Sequence, residues 1–220
     1  MEVAMARVSD LGGAPGHGPV PAPDPAEPVF GERWEGRAFA LTAFTIGRLS
    51  GRNLEAFRDT LDRLTPAEYH DSGYFGRWLH AAQAMLVASA VLAPGAVDAR
   101  ARRLAGETVE EPPDPAEPAK PDYSPTAPGS LREVEAAPEY AVGDRVRARK
   151  GARLPGYARG RVGTVARVQP AHVLPDTHAV FAGENPQHVY TVRFSARELW
   201  GDGDDVVVTL ELFETYLERA

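Results

Sequence analysis

Between Glu107 and Glu139 the chain carries eight of its 20 prolines, Pro112 through Pro138, among many acids. Proline lacks an amide hydrogen and fixes φ, so neither a helix interior nor a central strand can run through such a stretch. It has to be a connection, extended and wrapped on a surface. It splits the 220 residues into two parts, each long enough for a small domain of its own.

The two parts have different periods. Before the prolines, apolar residues recur at helical spacing. Trp34 to Leu49 reads as one helix, with Trp34, Phe39, Leu41 and Ile46 apolar. Asn53 is placed to cap a second helix, whose Leu54, Phe57, Leu61 and Leu64 form a core stripe. Thr65-Pro66-Ala67-Glu68 signals a third start, with a Thr cap, Pro in the first turn and Glu three residues after the cap. Tyr74 to Leu92 reads as a longer helix that ends before Pro94, and Asp98 to Ala105 adds a short one.

From Tyr140 the period becomes two. Asp144–Arg149, Gly160–Val168, His188–Phe194 and Val206–Phe213 are strand-like, with glycine turns between them. Short strands of this kind suggest a small antiparallel barrel of the SH3-like type. Before the helices, Asp10 to Pro19 is too rich in glycine and proline for regular structure, and too poor in apolar residues to hold its own fold. The expectation is an α+β chain with an extended arm over 1–33 and a helical domain over 34–106. A Pro-rich linker over 107–139 and an SH3-like β-barrel over 140–220 complete it.

Several functions are disfavoured by composition. Without cysteine this chain has no disulfide, thiolate metal site or thiol nucleophile. There is no phosphate-cradling glycine loop, no Gly-x-Ser-x-Gly elbow and no His-Glu-x-x-His. The six histidines, at 17, 70, 80, 172, 178 and 188, never fall three or four apart on a helix, so no metal site is expected within this chain. No apolar run approaches the roughly 20 residues of a membrane span. Residues 1–18 lack the basic and apolar segments of a signal peptide. The expectation is a cytoplasmic protein with no membrane partner.

Charge is uneven. The net charge is −7, yet residues 145–167 hold eight basic side chains and no acid. Blandly these cations are solvated; an anionic partner is the sharper reading. Nucleic acid is disfavoured, because Tyr157 is the only aromatic in the stretch to stack a base. The loop Lys150 to Gly160 hangs between two strands, where function usually sits.

Arg58 flanks the apolar stripe next to Phe57. It is either a solvated helix arginine or a guanidinium fork aimed across an interface at an anion. Tyr74 and Trp78, four apart, share a helix face. They are either core or the wall of an apolar pocket.

Taken together, Asp10-Leu-Gly-Gly…Gly-x-Gly-Pro19, Glu27-Pro-Val-Phe30, Leu54-x-x-Phe-Arg58, Pro66-x-x-Tyr69, Tyr74…Trp78, Arg153-Leu-Pro-x-Tyr, Pro175-Asp-Thr177, His188-x-Tyr-x-Val-Arg-Phe194 and Glu198-Leu-Trp-Gly201 stand in an order that resembles nitrile hydratase β subunits. The resemblance runs from about residue 10 to the C-terminus. It implies a partner α subunit that carries cobalt(III), or in other members iron(III), on a Cys-x-x-Cys-Ser-Cys loop with two oxidised cysteines. It implies an αβ heterodimer, or α2β2, that hydrates small-molecule nitriles to amides. In that family two β-chain arginines hold the oxidised cysteine oxygens; by motif they are Arg58 and Arg153. Tyr74 then lies near the reacting centre, while Leu54, Phe57 and Trp78 line the substrate pocket.

Trp78 and Trp200 resemble the cobalt-type relatives, whereas Arg77 departs from the histidine that many relatives carry. Two alternatives remain open: a subunit of a related hydrolase such as thiocyanate hydrolase, and an activator or chaperone of an α subunit.

Overall fold

Helices begin where the sequence supplies caps. In the computed structural model, which describes residues 7–10, 19, 21–22, 24–149, 151, 153–201 and 206–220, α1 spans Arg33–Phe44 and α2 spans Leu54–Leu61. The Asn53 side chain accepts the Ala56 amide at 2.7 Å, and so satisfies one of the orphan donors of α2. Helix α3, Pro66–His70, has its capping box formed in both directions: Glu68 N donates to Thr65 Oγ1 and Thr65 N donates to Glu68 Oε2. Helix α4 runs Gly73–Ala88 and α5 runs Ala96–Leu104.

Two ends differ from expectation. The stretch expected as one helix from Trp34 to Leu49 stops at Phe44 and passes into a wide turn over Thr45–Leu49. Ile46 is extended there and Gly47 takes φ 76°, a conformation that favours glycine. Helix α4 stops at Ala88 instead of Leu92, because Ala90 takes φ 48° and the Val91 amide turns back to Leu86 O at 2.9 Å.

Residues 107–130 contain neither helix nor strand. They are pinned nonetheless. The Ala119 amide donates to Ser89 O at 2.8 Å and Lys120 Nζ to Arg48 O at 3.1 Å.

The strands are β1 Leu131–Arg132, β2 Arg145–Ala148, β3 Val162–His172, β4 Gln187–Ser195, β5 Val207–Phe213 and β6 Leu217–Arg219. Short helices α6, Pro175–His178, and α7, Ala196–Trp200, interrupt them. All pairings are antiparallel, in the order β5-β4-β3-β2-β6, with β1 beside the far end of β3. The long β3 carries two bulges against β4, each of which bends and twists a strand. No ladder joins β5 to β6 among the described residues, so the sheet is antiparallel and open.

Two compact units divide the chain: Arg7–Ser9 with the residues up to Tyr123, and Asp10 with Ser124–Ala220. The sheet unit has the larger core, built on Val146, Val165, Tyr190, Val192, Phe194 and Leu212. Within it, Arg132 grips Glu184 with two nitrogens, at 2.7 and 2.5 Å, and Thr126 adds its amide and hydroxyl to the same carboxylate. That cluster ties the end of the proline-rich stretch to the sheet. The helical core is smaller: Phe57, Ala81 and Met85, with Ile46, Leu61 and Trp78 packed on them. No described helix is long and apolar enough to cross a membrane.

Candidate functional site

Five of the six residues singled out from sequence lie in the helical unit. Phe57 on α2 is 3% exposed and meets Trp78 on α4 edge to face, with ring centroids 5.4 Å apart. This contact joins the two helices. Trp78 also lies 5.5 Å from Tyr74 and 5.8 Å from Phe39, so the rings form one continuous aromatic group.

Leu54 and Tyr74 stand one turn N-terminal to the packed pair on their respective helices. Both stay open, at 55% and 56% exposure. Leu54 therefore corrects the expectation of a four-residue core stripe. Ala56 in the same turn is buried at 4%, so Leu54 lies on the open face of the helix. The Tyr74 hydroxyl makes no hydrogen bond among the described residues, while its ring is held from below: the Arg77 guanidinium lies 5.2 Å from the Tyr74 ring and 4.7 Å from that of Tyr69.

Arg58 is exposed, and its side chain makes no ion pair or hydrogen bond among the described residues. Acids are close in sequence, but they are engaged elsewhere. Asp59 pairs with Arg7 at 3.1 Å and Arg63 at 2.6 Å, and Asp62 pairs with Arg7 at 2.8 Å. The arm residue Arg7 thus takes the carboxylate that Arg58 could have reached one turn along α2. A positive charge is left uncommitted beside open apolar surface.

Arg153 lies in the sheet unit, on the loop between β2 and β3, and is half-buried. The backbone of that loop is tied down at several points. The Arg153 amide donates to Tyr216 Oη at 3.4 Å, and Gly156 N donates to Asp10 Oδ2 at 2.7 Å. Leu154 is buried in the core and its amide donates to Gly151 O at 3.2 Å. Gly151 has to be small, since a Cβ there would collide with the Tyr216 ring. Tyr216 in turn donates to Asp176 at the start of α6. Burial and that donation push the Tyr216 hydroxyl well above its ordinary 10.0, so it stays protonated.

Reading by sequence missed Tyr216 altogether. Asp10 and Asp176 were inside quoted motifs but carried no role. Among the described residues no three His, Asp or Glu side chains gather as a metal ion requires, and cysteine is absent.

Comparison with known proteins agrees along the full length. Residues 5–127 match the family model "Nitrile hydratase beta subunit, N-terminal" and residues 129–219 match "Nitrile hydratase beta subunit, C-terminal". The low-molecular weight cobalt-containing nitrile hydratase subunit beta of Rhodococcus rhodochrous is 36% identical over 231 residues, covering 97% of this chain and 99% of that protein. The cobalt-containing nitrile hydratase subunit beta of Pseudonocardia thermophila is likewise 36% identical over 231 residues, covering 97% of this chain and 96% of that protein. Recombinant thiocyanate hydrolase apo-enzyme from Thiobacillus thioparus shares 28% identity over 38% of this chain and 78% of its own, with a TM-score of 0.36, and carries no weight in the assignment. The chain belongs to the nitrile hydratase β subunit family.

Proposed function

We propose that this chain joins a metal-bearing α subunit as an αβ pair, or as α2β2, and hydrates nitriles to amides in the cytoplasm. Its similarity to cobalt-containing β subunits favours cobalt(III) over iron(III). In this reading the partner holds that metal, and this chain, which has no thiols, holds none.

This chain's part is to bind, orient and exclude water. Arg58 and Arg153 each donate charge-assisted hydrogen bonds to oxygens on the partner's oxidised cysteines. Two guanidinium forks suit such oxygens better than lysine ammonium groups do. Leu54, Phe57 and Trp78 line the nitrile pocket and shed its water. Tyr74 turns its hydroxyl toward the reacting group, its ring steadied by Arg77.

The observation that carries this reading is Arg58: an uncommitted guanidinium next to open Leu54, on a helix whose neighbouring acids are already paired. The same reading keeps the fourfold plan of arm 1–33, helical domain 34–106, linker 107–139 and SH3-like roll 140–220; the two bulges in β3 supply the bending such a roll needs.

Co-expression with the α subunit encoded beside it, in cobalt-supplemented medium, tests the reading. A coloured complex that converts nitrile to amide is expected, with no amide formed by this chain alone. Full activity from the lone chain would refute it.

A further inference from the structure

We infer that Tyr216 is a positioning residue for the Arg153 guanidinium, with Asp176 as its anchor. The inference rests on the reading of Arg153 given above and adds a mechanism for holding that side chain still.

Loops sample many conformations, and a guanidinium displaced by an ångström loses its geometry on a small anion. One tyrosine registers this loop at three points. Its carbonyl accepts the Arg149 amide at 2.8 Å, its ring fills the space left by Gly151, and its hydroxyl accepts the Arg153 amide at 3.4 Å. These are alternate residues, on either side of the turn into the loop.

The hydroxyl donates and accepts at once. A carboxylate accepts and does not donate, so the Tyr216 hydrogen points to Asp176. Its lone pairs are left for the Arg153 N–H. Asp176 is set by α6, whose Pro175 begins the helix. Tyr216 is 3% exposed, so neither water nor a rotamer change readily replaces it. On the far side of the loop, Asp10 holds the Gly156 amide at 2.7 Å. The Arg153 backbone is thereby clamped from both directions.

The test is Tyr216→Phe in the αβ holoenzyme, alone and combined with Arg153→Lys. Phenylalanine keeps the ring against Gly151 and removes only the hydroxyl. Expected for Y216F is a fall in kcat of about tenfold or more with KM within about twofold, because alignment and not binding is lost. Amide hydrogen exchange at Arg153 should quicken, which reads the loop without reference to turnover. In the R153K background the same Y216F change should cost less than about twofold, since what it positions is gone. A full Y216F loss in that background, or no loss in the wild-type background, overturns the inference.

The two failures can be told apart. If R153K alone keeps near-normal activity, the reading of Arg153 falls and the inference with it. If R153K is crippled while Y216F is not, only the inference falls. Should Y216F yield no complex, Asp176→Asn takes its place in the same cycle, with the same non-additivity expected and additive losses contradicting it.

Discussion

The helical unit opens more of its large apolar side chains than it buries, whereas the sheet unit buries a larger core and leaves a smaller rim open, with Leu131 at 59% and Trp200 at 47%. Phe44 is 60% exposed and Leu54 55%, but Tyr190, Val192 and Phe194 are at 0%. The charges differ in the same sense. Arg58 stands uncommitted on a capped helix, while the Arg153 loop is fastened by Tyr216, Asp176 and Asp10. The sheet unit is built on the larger core; the helical unit presents the wider apolar surface for a partner to cover. For a chain of the nitrile hydratase β subunit family, the proposed α subunit is that cover. The stability of the lone chain and the activity of the complex should therefore respond to different residues.

The sharpest separation is expected at the arginines. Arg58→Lys and Arg153→Lys should each lower nitrile hydration by the complex about 150- to 5,000-fold, on the order of 3–5 kcal/mol for a desolvated charge pair. The melting temperature of the isolated chain should barely move. Steady-state kinetics and a thermal melt on the same preparations read both. A large drop in melting temperature would mean that the arginines serve the fold.

Core packing should behave in the opposite way. Phe194→Ala, in the closed core, is expected to destabilise the isolated chain by about 3–5 kcal/mol. Leu54→Ala should cost less than about 1 kcal/mol because that side chain is already open, yet it should raise KM for bulky nitriles. Urea titration of the two variants breaks the comparison if their costs are equal.

A smaller effect is expected from acid. Glu184 sits well below its ordinary 4.5, first because Arg132 hydrogen-bonds its carboxylate and next because Thr126 does. A carboxyl depressed in the folded state stabilises above its unfolded value and loses that contribution as pH falls through the folded one. Stability should thus decline below about pH 4.5 and keep declining toward lower pH. Glu184→Gln should remove this part of the slope and cost about 1–3 kcal/mol at neutral pH, where it leaves Arg132 without its ion pair. Urea midpoints at pH 7 and pH 4 for both proteins measure it; an unchanged slope would mean that other carboxylates carry the acid response.

Much of the local structure was legible because it is written locally. The Asn53 cap and the Thr65–Glu68 box depend on residues three apart, and the chain shows both plainly. The break after Phe44 was not legible. Apolar spacing continues past it, and only Gly47, one glycine among many, marks the wide turn. Helix α7 could have been read, since Ser195 accepts the Glu198 amide at 3.2 Å in an ordinary capping pattern. Strand β6 has three residues, fewer than a period-two pattern needs to declare itself.

The candidate site divides in the same way. Arg58, Tyr74 and Trp78 are candidates because the resemblance marks them. Tyr216 meets Arg153 across 63 residues and Asp176 across 40, and no local pattern announces partners that the fold alone brings together. That Leu54 is open was equally hidden, because helical spacing shows which residues share a face and not whether anything covers it.

The most direct measurement is amide formation from a nitrile, compared for this chain alone, for its complex with the α subunit, and for complexes carrying R58K or R153K. The account expects no amide from the lone chain, turnover by the complex, and about 1% or less of that turnover from each variant. Turnover by the lone chain, or near-normal turnover by both variants, would contradict it.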